Sequence, residues 1–203
     1  EKNIITKEKT SKTKDEFIQD LLGFQKSIGT VWGKIFNSKY LKNNILLFDE
    51  ELVLAEDAEF CLRLMKHNPK IIYIPNILYH YNLSNVSTVR TFNKFYFNFY
   101  SDSLKKIELS IDKTKYLTQW NNFVAHHLLL ICVNYCFNLQ NKVCYDKRKR
   151  MLKEILKDEL FADSIRLCDS KDFPFTKKIT LFFLKHKMYL FVYIISIIRN
   201  KTR

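Results

Sequence analysis

The sequence predicts an α/β chain with few, short strands that passes into a predominantly α-helical region. Three observations lead there. Only three glycines and three prolines occur in 203 residues, too few turn-formers for an all-β sandwich and consistent with long helices. Two short runs, residues 70–74 and 77–81, have the β-branched or alternating character of strands. Beyond residue 92, apolar residues recur at helical spacing with Lys and Glu between them. An apolar content of 47% with 15% aromatics is enough to bury a core in one domain plus an appendage.

In chain order, the first residues are polar and charged, and no leading strand is read there. Phe17, Leu21, Leu22 and Phe24 then sit at helical spacing within residues 14–27. Asn37 or Ser38 can cap a short helix carrying Tyr40 and Leu41, which Asn43 and Asn44 end. Residues 45–48 read as extended. Glu56 and Asp57 fall in the first turn of a helix containing Phe60, Leu64 and Met65, where the positive end of the helix dipole favours acidic side chains. The strand run 70–74 is followed by a Pro75-Asn76 turn and the alternating run 77–81, which sets His80 on the face opposite Tyr79 and Tyr81. Residues 83–90 are polar and read as a loop. Helices follow over 92–109, 117–139 and 146–160.

The five cysteines are scattered and form no Cys-x-x-Cys pair. Cys132 and Cys136 have the i,i+4 spacing of one helix face, which suits buried, reduced thiols. Adjacent His126 and His127 point to different helix faces, so a zinc site shared with these cysteines is disfavoured. Asp57 and Glu59, two apart on a helix, diverge and make a poor chelate; no metal ligand is assigned.

Net charge is +13, and its placement matters. Residues 171–203 hold eight Lys or Arg against the single Asp172. The uncharged run from 188 to 198 is eleven residues, about 16 Å as a helix and short of a ~30 Å hydrocarbon core. Apolar and aromatic residues bracketed by cations suit an interfacial segment on an anionic leaflet; a core or dimer-interface helix with solvated basic ends is the alternative. Nucleic acid is disfavoured as a partner, because the tail aromatics form a nearly continuous apolar block and no recognition motif accompanies the charge.

An ordered set of short motifs runs from Trp32 to Thr88: Trp32-Gly33-Lys34-Ile35-Phe36, Phe48-Asp49-Glu50, Glu56-Asp57-Ala58-Glu59-Phe60, the apolar 71–75, Tyr79-His80-Tyr81 and Ser87-Thr88. This order resembles the second half of bacterial family 2 glycosyltransferases, which have the GT-A (Rossmann-like) fold. The resemblance covers roughly the first ninety residues. It departs at Asn82, where the family commonly has a basic residue, and in having no Asp-x-Asp.

The resemblance implies the acceptor-side half of a GT-A catalytic domain over residues 1–90, followed by a helical region over 91–170 and the basic tail over 171–203. It implies an inverting transfer from a nucleotide-diphospho-sugar to a surface polysaccharide or lipid-linked glycan. Asp57 would then be the general base on the acceptor hydroxyl, with Glu56 orienting the loop or bonding the acceptor. Trp32 offers either a sugar platform or core packing, and Lys34 either a substrate contact or a structural ion pair. His80 is either near the diphosphate or an ordinary surface or core histidine. Ser87 is the family's recurrent serine near the donor, and Arg90 is added on charge alone. A divalent cation, Mg2+ or Mn2+, is implied with ligands mainly in a preceding nucleotide-binding half. The chain is accordingly expected to be the C-terminal portion of a longer enzyme, inactive alone, peripheral on the inner face of the cytoplasmic membrane. The competing expectation is a non-enzymatic helical membrane-associated or interaction protein.

Overall fold

A computed structural model describes residues 10–23, 28–74, 76, 77, 79, 80, 82 and 92–202. Strand β1 (Thr10–Lys12) leads into α1 (Lys14–Leu22), and α2 (Ser38–Asn43), α3 (Glu56–Met65) and β2 (Ile71–Tyr73) follow. The remainder is helical: α4 (Tyr96–Glu108), α5 (Leu117–Ile131) continuing into a π-helical segment (Cys132–Cys136), α6 (Tyr145–Ile155), α7 (Glu159–Leu167), a 3-10 turn (Ser170–Asp172), α8 (Phe175–Lys185) and α9 (Tyr189–Lys201). The chain is thus predominantly helical, with one two-stranded sheet among the described residues.

The sheet corrects the reading of the N-terminal segment as strandless. β1 pairs antiparallel with β2, Thr10 opposite Tyr73 and Lys12 opposite Ile71. Its residues Thr, Ser and Lys have no alternating apolar pattern, and the partner lies far along the chain. Residues 77, 79 and 80 do not continue as a strand, while 78 and 81 lie outside the described residues.

Local chemistry accounts for several element starts. Thr13 caps α1 in a reciprocal box with Glu16, satisfying two amides that the first turn leaves open. Asn37 caps α2 through the Tyr40 amide, and Asp158 caps α7, which ends the expected 146–160 helix early and starts a new one.

α5 is the central helix. Trp120, Phe123, Val124, Ala125, Leu128 and Ile131 are all buried, and α1, α4, α7 and α8 pack around it. Leu21 and Leu22 of α1, Leu62 of α3, Leu104 and Ile107 of α4, Phe161 of α7 and Leu184 of α8 join it in one continuous core. α3 packs on both α1 and α4, which fixes where its N-terminal Glu56 and Asp57 emerge.

Candidate functional site

The N-terminus of α3 carries Glu56 and Asp57, and the loop that bears Trp32 and Lys34 is bonded to it through Val31. Ala55 precedes the helix with φ 58°, in the left-handed region, and provides no side-chain cap. The turn before it is held from α4, where the Ser103 hydroxyl donates to the Leu54 carbonyl. Aromatic packing brings the upstream motifs onto the same helix. Phe48 stacks on Phe60 with centroids 4.4 Å apart, and Phe36 meets Phe60 edge-on at 5.7 Å.

Asp57 is half-buried, and its Oδ2 accepts the Val31 amide N–H at 3.2 Å. That bond ties the loop carrying Trp32 and Lys34 to the helix start and fixes the orientation of the carboxylate. The loop lies against α1 and α3 at ordinary packing distance: a Cβ at Gly29 would rest in van der Waals contact with Ala58 and Leu21 at 3.7 Å. Lys34 is half-buried and donates to the Thr30 carbonyl. Burial holds its ammonium below the ordinary lysine value, against the opposing pull of Cys61 and Asp57.

Trp32 stacks on Tyr79, with centroids 5.5 Å apart and planes 23° from parallel, and both rings remain partly open to solvent, Trp32 at 37% and Tyr79 at 49%. Trp32 is thus not among the fully buried core side chains. His80, beside Tyr79, is exposed. Ser87 and Arg90 lie outside the described residues.

Glu56 differs from its neighbour. Burial pushes its carboxyl above the ordinary range, its own backbone amide pulls the other way, and the charge of Asp57 adds to the rise. The field of Glu56 also reaches Tyr100 on α4, whose hydroxyl is raised chiefly by burial. Glu59 is not available to a substrate or ion, because Arg63 grips it at 2.8 Å while also donating to the Leu47 carbonyl. Asp49 of the Phe-Asp-Glu turn is likewise engaged, by Lys106 and the Glu51 amide.

Among the described residues no group of three or more His, Cys, Asp or Glu is placed to hold a metal ion. The donors near Asp57 therefore do not form a ligand set for the divalent cation that the resemblance implies. A cleft of about 340 Å³ lined by Lys14, Asp15, Leu62, Lys66, Asp112 and Lys115 includes none of the candidate residues.

Three contributors escaped sequence reasoning: the Val31 amide, Tyr79 as the stacking partner of Trp32, and Tyr100. A backbone amide leaves no trace in sequence, and Tyr100 arrives from a helix distant in the chain. Tyr79 stood within a quoted motif, and its alternation with His80 was the available signal.

A second cluster of titratable groups lies on α5 and α8. His127 Nδ1 sits 2.8 Å from the Phe123 carbonyl, and burial brings its pKa down to about 4. The Lys177 ammonium donates to His126 Nδ1 at 3.0 Å. Burial, with Arg199 nearby, lowers Lys177 to about 8. Cys132 and Cys136 are buried free thiols, with Cys132 pushed up to about 12 by burial, whereas Cys144 is exposed.

No protein-family model matches the chain, and no curated protein and no solved structure is significantly similar to it.

Proposed function

We propose that the chain is the acceptor-side portion of an inverting glycosyltransferase with a GT-A, Rossmann-like catalytic domain, transferring a sugar from a nucleotide-diphospho-sugar to a glycan or lipid-linked glycan. The observation that supports this reading most is the convergence at the start of α3. Asp57, oriented by the Val31 amide, is joined through one loop to an open Trp32–Tyr79 stack. A carboxylate beside a flat aromatic face is what acceptor activation needs: the ring covers the apolar side of a sugar and the carboxylate takes the hydroxyl proton as the new bond forms. Glu56, with its carboxyl raised by burial, holds a proton more readily than an ordinary glutamate and serves to hydrogen-bond the acceptor. The divalent cation would stabilise the diphosphate leaving group when bound, with ligands supplied by the donor half.

The competing reading, a non-enzymatic helical interaction protein, is favoured by one specific fact: the bond from Val31 to Asp57 is a sufficient structural use of that carboxylate. Asp57→Asn separates the two. Nucleoside diphosphate release from a panel of nucleotide sugars, with membrane extract as acceptor and Mg2+ or Mn2+ present, is compared between wild-type enzyme and variant in the polypeptide that includes the donor half. Loss of a general base lowers turnover by roughly 100-fold or more with donor binding retained. Unchanged turnover, or a loss of turnover that merely parallels a loss of donor binding, removes the base assignment.

A further inference from the structure

The two last helices form a hairpin with one face packed and one face open. Leu181 and Leu184 of α8 and Tyr189, Val192 and Ser196 of α9 are buried against the body. Asn200 Nδ2 donates to the Val133 and Phe137 carbonyls at 3.0 and 3.3 Å, pinning the end of α9 to the π-helical segment. On the opposite side Phe175, Phe182, Leu190, Phe191, Ile194 and Ile198 are exposed, by 43 to 74%. Phe191 stacks on Phe183 at 4.7 Å, and Phe183 meets Phe182 at 5.7 Å, so the apolar surface crosses from one helix to the other.

Cations mark both ends of this surface. Lys185 and Lys187 are exposed at the connection between the helices, and Lys201 is exposed at the far end of α9. α9 has thirteen residues, about 20 Å of helix, and no helix among the described residues is long and apolar enough to cross a membrane. No Asp or Glu occurs from residue 173 to the last residue given.

We propose that the open face of the α8–α9 hairpin is a docking surface for an anionic lipid bilayer, lying in the interfacial plane with Phe182, Leu190, Phe191, Ile194 and Ile198 in the acyl boundary. Charge selects this occupant. A second copy of the hairpin would bring the same lysines and no acid of its own, whereas anionic headgroups neutralise Lys185, Lys187 and Lys201 at the depth where the apolar side chains insert. The helices stay parallel to the surface because the packed face is held to the body by Asn200 and the buried residues. The inference is independent of glycosyl transfer, since it concerns neither Asp57 nor turnover.

Vesicle co-sedimentation of the full chain tests it, using vesicles of phosphatidylcholine alone and of phosphatidylcholine with 30% phosphatidylglycerol as probes. The wild type should bind the anionic vesicles and bind neutral ones far more weakly. Lys185→Gln, Lys187→Gln and Lys201→Gln should each weaken anionic binding about five-fold, and Leu190→Ser combined with Ile194→Ser should abolish it. All five side chains are exposed, so circular dichroism should stay that of the wild type. Equal binding to both vesicle types, binding to neither, or sedimentation showing a dimer that the Leu190 and Ile194 substitutions dissolve would each overturn the proposal.

Discussion

Lys177 is held where an ammonium is costly: half-buried, donating to a neutral imidazole, with Arg199 adding like charge. Its folded pKa of about 8 lies below the ordinary 10.5. Below pH 8 both folded and unfolded chains carry the proton, and the folded state bears the full cost. Between 8 and 10.5 the unfolded chain binds the proton and the folded one releases it, so this group's contribution to stability rises with pH. Urea unfolding of wild type and Lys177→Met should therefore show the wild type gaining on the variant from pH 7 to pH 10. A difference that stays flat across that window would contradict the assigned environment. Asp57 belongs at the same scale. Its type and helix position were readable, because acidic residues at a helix start have a definite physical signature, but the amide that orients it was not.

At the scale of elements, the π-helical segment sets the geometry of the C-terminal half. Its wide turn, closed by the Phe137 amide on the Cys132 carbonyl at 2.9 Å, ends α5 and redirects the chain into the 138–144 loop. Buried Arg148 on α6 holds that loop, donating to the carbonyls of Asn138 and Val143 at 2.9 Å and to that of Asn141. Arg148→Met strands three carbonyls that the guanidinium serves at once. Denaturant unfolding should show a loss of about 3 kcal/mol, and Arg148→Lys should recover less than half, because a single ammonium cannot reproduce the planar fork. Helix existence was legible wherever an apolar stripe repeated, as over 117–139. The π turn was invisible there because Cys132, Val133 and Cys136 continue the same stripe. β1 was missed because pairing with β2 depends on backbone bonds and not on any pattern in Thr10, Ser11 and Lys12. The hairpin turn at His186 and Lys187 was unread because nothing but a positive φ at Lys187 distinguishes it, and lysine does not advertise that conformation.

Across the whole molecule, one core draws on the stretches before residue 90, between 91 and 170, and after 171. Leu181, Leu184, Tyr189 and Val192 fill it from the last two helices. Removing residues 173–203 would bare the faces of α5, α7 and the π-helical segment that those side chains cover. The truncated chain is expected to lose its sharp unfolding transition and to bind anilinonaphthalene sulfonate, as loosened cores do. A truncation that unfolds as cooperatively as the intact chain would mean that the hairpin contributes nothing to the core. The same deletion removes most of the net positive charge, so reading calorimetry and dye binding at two salt concentrations separates lost packing from altered repulsion.

The Trp32–Tyr79 stack has an optical consequence. The chain has two tryptophans, and their surroundings are opposite: Trp32 is open at the candidate site, while Trp120 is 3% exposed beside Phe123 in the core. Iodide should quench the first and spare the second. A sugar settling over Trp32 would shield it without disturbing Trp120, and unfolding would open Trp120, so one native fluorescence experiment distinguishes occupancy of the site from loss of the fold.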